Sequence, residues 1–242
     1  MIRSEEAEVM EIPTECGSVT VLFEDDHLIV TVKPAGMPTA NAPAGRPSLY
    51  TWLKARLGHQ AFVGVVSRLD AAVSGVVVSA KTPRAAAILS EQFRERSVEK
   101  LYTAIVAGRF PAAIRTWVEW TDGLQRPPGQ QATRTVPPGT KAAQDATTRG
   151  RVIVRAGELS LVELAPVTGR RHQLRAQLGA RGCPIVGDRL YGSRLPFPLP
   201  GGIGLHATQI TFEHPIGAAP VTFESTIPEV WRSRYPHLFS ES

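Results

Sequence analysis

The chain has 242 residues, 43% hydrophobic and 20% charged, which is ample for a buried core and excludes a disordered or low-complexity class. A net charge of +5 fits a polyanionic partner without requiring one. Cys16 and Cys183 lie far apart without metal-ligand spacing, no apolar run reaches membrane-spanning length, and Met1 to Glu11 lacks an apolar signal core. A disulfide framework, a metal site, a membrane span and a secretory leader are therefore not expected, and a cytoplasmic protein is.

Residues 1–18 read as a polar lead-in. Val19 to Val32 splits into two strands around the acidic turn Glu24-Asp25-Asp26-His27. Lys33-Pro34-Ala35-Gly36 closes the second strand. Ser48 is placed to cap a helix over 48–58, with Leu49, Trp52, Leu53 and Leu57 at helical spacing. In the stretch Val66 to Thr82, Arg68 and Asp70 sit in a turn between two apolar runs, Phe62 to Val66 and Val76 to Val78. Both runs read as buried strands. An Asp after a strand is ordinarily a turn former, so this stretch alone assigns no chemistry.

Thr82-Pro83 starts a second helix, whose apolar face carries Ala85, Ile88, Leu89 and Phe93. Glu99 to Gly108 alternates like a strand. Residues 122–150 hold Gly, Pro, Gln, Thr and charge, and are expected to form a long solvated loop, with Arg126, Arg134, Lys141, Arg149 and Arg151 as groups that could touch phosphate. A hairpin follows around Ala156-Gly157-Glu158, then a helix capped by Thr168 and ending near Ala180, with Arg171 stacked over Arg175. Two final strands and a short helix over 228–235 close the chain. The order of elements predicts an α+β fold with a largely antiparallel or mixed sheet flanked by helices and loops. Residues 19–235 are expected to form one domain, with a tail at 236–242. Neither a G-x-G-x-x-G turn nor a P-loop is present, so no nucleotide cofactor is expected.

Several segments, in order, resemble the RNA pseudouridine synthases of the RluA branch. Lys33-Pro34-Ala35-Gly36 is similar to that family's Lys-Pro-x-Gly turn. Ser67-Arg68-Leu69-Asp70-Ala71-Ala72-Val73-Ser74-Gly75 resembles its signature His-Arg-Leu-Asp-x-x-Thr-Ser-Gly, with Ser67 and Val73 as departures. Lys100-Leu101-Tyr102-Thr103-Ala104 resembles its Lys-x-Tyr-x-Ala strand, and Thr168-Gly169-Arg170-Arg171-His172-Gln173-Leu174-Arg175 its Thr-Gly-Arg-x-His-Gln-Ile/Leu-Arg motif. Pro184 to Asp188, Tyr191-Gly192 and Leu205-His206-Ala207 match later segments. The frequent S4-type RNA-binding module has no counterpart ahead of the first strand.

The resemblance implies conversion of a uridine in rRNA or tRNA to pseudouridine, without cofactor or metal, by a monomer. It assigns Asp70 as the catalytic carboxylate, Arg175 as its cationic partner and Tyr102 as the ring against the target base. Leu174 would pack beneath that base, Arg68 would fill the gap left when the base flips out, and Arg170, Arg171 and Lys33 would contact phosphate. His172 is read as a structural hydrogen-bonding group. Two rival readings remain at this point. One is an RNA-binding module of the same fold with weakened or lost catalysis, prompted by Ser67 and Val73. The other is a hydrolase using Asp70 with a second acid, for which Asp188 is the candidate.

Overall fold

The computed structural model describes residues 12–14, 17–43 and 45–239; Cys16, most of the lead-in and the end of the tail lie outside the described residues. In chain order the elements are β1 (Ile12–Thr14), β2 (Gly17–Glu24), β3 (Leu28–Lys33), α1 (Leu49–Leu57), β4 (Gly64–Val65), β5 (Ser74–Ala80) and α2 (Pro83–Glu95). Then come β6 (Glu99–Ala107), β7 (Val118–Gln125), β8 (Arg134–Val136), β9 (Gln144–Ala156), β10 (Leu159–Pro166), α3 (Gln173–Ala180), β11 (Leu205–Glu213), β12 (Pro220–Glu224) and α4 (Glu229–Arg234). Single 3-10 turns occur at Arg189–Tyr191 and Pro236–Leu238. The fold is α+β. No helix among the described residues is long and apolar enough to cross a membrane.

The chain divides into two compact units. The first holds Met1–Glu99, Leu199–Gly202 and Ala207–Thr226. Its strands run in the order β1-β2-β3-β5-β11, with β12 on β11 and β4 on β5. Every residue of β5 is buried, because both faces are covered. Val77 packs with Ile29 against Leu49 and Leu53 of α1, while Val76 and Val78 pack with Leu28 and Val30 against Ala85 and Leu89 of α2. A strand buried on both faces reads as a continuous apolar run, which is how Val76-Val77-Val78 appears in the sequence. Ser48 caps α1 through a reciprocal pair with Thr51, and Thr82 caps α2 by accepting from Ala85 N–H. The run before Asp70 differs from expectation: only Gly64 and Val65 pair with β5, and Phe62 is exposed.

The second unit holds Lys100–Pro198, Ile203–His206 and Ile227–Ser242. Its sheet is antiparallel in the order β6-β10-β9-β7-β8. Ile105, Leu161, Val186, Trp231 and Leu238 form one core cluster, and Leu124, Ala146 and Ala176 another.

The segment expected to be one long solvated loop, 122–150, instead carries the end of β7, all of β8 and the start of the thirteen-residue β9, with shorter loops at 126–133 and 137–143 between them. Its composition misleads because neighbours supply the apolar bulk. Trp120, Leu164 and Phe110 close over Gly150 so tightly that a Cβ there would meet them at 2.8, 3.0 and 3.0 Å. The arginines expected to be loose are partly engaged: the Arg149 and Arg151 guanidiniums stand over the Trp117 ring, at 5.4 and 4.7 Å from its centroid. Arg151 Nε also donates to Glu163 Oε2 at 2.6 Å.

Candidate active site

Asp70 lies in the first unit on a segment without strand pairing, and other bonds fix its backbone on both flanks. On one side Thr39 and Leu69 exchange two hydrogen bonds: Thr39 Oγ1 donates to Leu69 O at 2.8 Å and accepts from Leu69 N at 3.1 Å. On the other, Gly36 N–H donates to Ala71 O at 2.8 Å. Asp70's own carbonyl accepts from Val73 N at 3.0 Å, closing a tight turn. Gly75, the second residue of β5, follows at φ +123, and a Cβ there would stand 2.3 Å from Ala207 O, so only glycine fits. A carboxylate on so restrained a turn is oriented before any ligand arrives.

Lys33 requires a correction. Expected to touch phosphate, it is 0% exposed. Its ammonium donates to Pro34 O at 2.9 Å, Met37 O at 2.7 Å and Ala71 O at 3.4 Å. It braces the turn that carries Asp70 and is shielded from any backbone phosphate. The departures from the family signature also have local roles. Ser67 Oγ accepts from Val78 N at 2.9 Å and donates to Val78 O at 3.1 Å, substituting for a strand-ladder pair. Val73 is 2% exposed and belongs to the core. Arg68 is exposed and lines a cleft of about 390 Å³ with Ala40, Asn41, Tyr50 and Val65.

Tyr102, Leu174, Arg170, Arg171 and Arg175 lie in the second unit. Tyr102 sits on β6 opposite Leu164 of β10 and is partly buried. Helix α3 begins at Gln173, four residues later than the Thr168 cap predicts. The Thr168 hydroxyl is spent elsewhere, donating to Gln173 Oε1 at 2.6 Å and accepting from Thr147 N at 3.1 Å. His172 precedes the helix in the left-handed region at φ 54. Arg171 is therefore outside the helix and is not stacked one turn above Arg175. Gln173 uses its whole amide: Oε1 also accepts from Arg170 N at 3.0 Å, and Nε2 donates to Thr147 O at 3.0 Å and Thr148 Oγ1 at 2.9 Å. This ties the Thr168–Arg170 segment to β9. Arg170 and Arg171 stay exposed, and Leu174 is buried.

Arg175 is 8% exposed and grips Asp188, itself 2% exposed, through Nε to Oδ2 at 2.7 Å and Nη2 to Oδ1 at 2.9 Å. Its guanidinium stands over the Tyr191 ring, 5.1 Å from the centroid. The Tyr191 hydroxyl accepts from Thr133 N at 2.9 Å and bonds His172 Nδ1 at 2.8 Å. Burial pushes the Tyr191 phenol up, which keeps it protonated. Asp188 and Tyr191, which orient Arg175, were read in the sequence only as members of a later segment and as a possible second acid. With both oxygens bonded to Arg175, Asp188 is poorly suited to act as the water-activating acid of a hydrolase. Among the described residues no group of three or more His, Cys, Asp or Glu side chains is placed to hold a metal ion.

Comparison with known proteins decides the family. Residues 27–180 match the model described as RNA pseudouridylate synthase. The chain belongs to the RNA pseudouridylate synthase family. It is 34% identical over 201 residues to the dual-specificity RNA pseudouridine synthase RluA of Vibrio vulnificus, covering 81% of this chain and 78% of that one. It is also 34% identical over 230 residues to YhcT of Bacillus subtilis, named as an uncharacterized RNA pseudouridine synthase, covering 93% and 74% of the two chains. Among solved structures, human RNA pseudouridylate synthase domain containing 4 superposes with a TM-score of 0.71 at 25% identity, covering 90% of this chain and 92% of that chain. The protein is thus an RluA-type pseudouridine synthase, an isomerase that converts uridine in RNA to pseudouridine. Nothing favours the reading as a binding module that has lost its chemistry.

Proposed function

We propose that Asp70 supplies the carboxylate that initiates cleavage of the N1–C1′ bond of a uridine in rRNA or tRNA. The uracil then turns and C5 joins C1′, with the C5 proton removed afterwards. Bonds broken and formed balance within one nucleotide, so no cofactor is called for. Asp70 acts ionised, and Arg175 is its cationic partner. The Tyr102 ring stacks on the target base, with Leu174 beneath it. A stacked uridine must be extruded at a cost of a few kcal/mol, and Arg68 takes its place in the helix. Arg170 and Arg171 hold phosphate.

The observation that carries this reading is the turn at Asp70, pinned through Leu69, Ala71 and its own carbonyl. Residues 19–235 act as one catalytic domain, in a monomer working in the cytoplasm, with recognition built into that domain. Mapping pseudouridine in total RNA from cells with and without the gene tests the proposal. Specific rRNA or tRNA positions are expected to revert to uridine in its absence; identical maps would count against it.

A further inference from the structure

Lys33 is fully buried and Lys100 is partly buried, and their ammoniums are treated differently. Lys33 gives its ammonium to three carbonyls. Lys100, at the start of β6, has no hydrogen-bond acceptor or carboxylate partner among the described residues. Burial lowers its pKa, and no charge or hydrogen bond opposes the shift. Its ammonium lies beside Gly169: a Cβ built there would be 3.8 Å from Lys100 Nζ.

The surroundings are those of an anion site. Gly169 is exposed and carries no side chain to hold a ligand off. Its N–H finds no acceptor among the described residues, and the guanidiniums of exposed Arg170 and Arg171 find no carboxylate there. Gln173 holds this segment in place through Thr168 Oγ1 and Arg170 N. An ammonium kept part-dry without an anion costs stability in the free protein, and a docking anion offsets that cost. Lys100 and Tyr102 are two apart on one strand, so they share a face about 7 Å apart along it.

We infer that Lys100 and the Gly169–Arg171 segment form a phosphate subsite, which takes a backbone phosphodiester of the RNA next to the nucleotide lying on Tyr102. Lys100 acts there as a point charge against the phosphate oxygens. The inference rests on the RNA reading above and adds a contact to it.

The test titrates wild type, Lys100→Met and Lys100→Arg with a short RNA stem-loop carrying uridines in its loop, over a range of KCl. Loss of one single-strand phosphate contact flattens the slope of log K against log salt by about 0.7. Lys100→Met is expected to show that flattening with an unchanged or higher melting temperature, and Lys100→Arg to keep the wild-type slope. An unchanged slope in Lys100→Met overturns the subsite, and so does a lowered melting temperature with that slope kept. Should the methionine variant not fold, amine labelling of the wild type decides: RNA is expected to protect Lys100, and equal labelling with and without RNA overturns the inference. Normal product with an unchanged slope removes the subsite alone. A flattened slope with no pseudouridine from wild type on any RNA removes the isomerase reading and leaves the subsite.

Discussion

Arg175 and Asp188 form a two-pronged buried ion pair, with both carboxylate oxygens accepting from one guanidinium at 2.7 and 2.9 Å. Tyr191 covers a face of that guanidinium and is itself fixed by His172 and by Thr133 N–H. The plane of the Arg175 head is therefore set before RNA binds.

Asp188→Asn removes the charge of the carboxylate that grips the buried Arg175 guanidinium at two points. Unfolding free energy is expected to fall by about 3 kcal/mol or more, as measured by urea denaturation. A joint Arg175→Met, Asp188→Leu change removes both charges and is expected to regain much of that loss while making no product. Wild-type turnover by the double variant would show that Arg175 is structural only.

Lys33→Met strands carbonyls that now share an ammonium. A loss of about 1–3 kcal/mol in stability is expected. RNA affinity at fixed salt should be unchanged, because the side chain is fully buried. Intact stability combined with weakened RNA binding would return Lys33 to the phosphate contacts.

Glu24 gives the first unit a pH dependence. Burial alone would raise its carboxyl, but the bonds from Lys81 and Arg56 outweigh it and hold the group below its ordinary 4.5. Its folded value is below its unfolded one, so the stabilisation is complete above about pH 5 and fades as pH falls through the depressed value. Wild type is expected to exceed Glu24→Gln in melting temperature at pH 7, with the gap closing on acidification toward pH 3. A gap independent of pH would show that the Lys81 and Arg56 contacts do not depend on the charge.

Much of this was legible from local patterns. Ser48 ahead of Leu49, Trp52 and Leu53 marks α1, and the unbroken Val76-Val77-Val78 run marks a strand covered on both faces. What escaped depends on partners distant in sequence. β9 looks solvated because its bulk comes from Phe110, Trp120 and Leu164, which close over Gly150. Thr168 looks like a helix cap, yet its hydroxyl is drawn to Gln173. Lys33 reads as a solvated cation beside a proline until folding brings the Ala71 carbonyl to it. Asp188 meets Arg175 across a separation of thirteen residues, where the chain turns back after α3, a link that no spacing rule contains.

Single-turnover pseudouridine formation by Asp70→Asn, on RNA from cells lacking the gene, tests the central claim most directly. No product is expected, with the wild-type melting temperature and RNA affinity retained. Product at near wild-type rate would remove Asp70 from the chemistry and contradict the account.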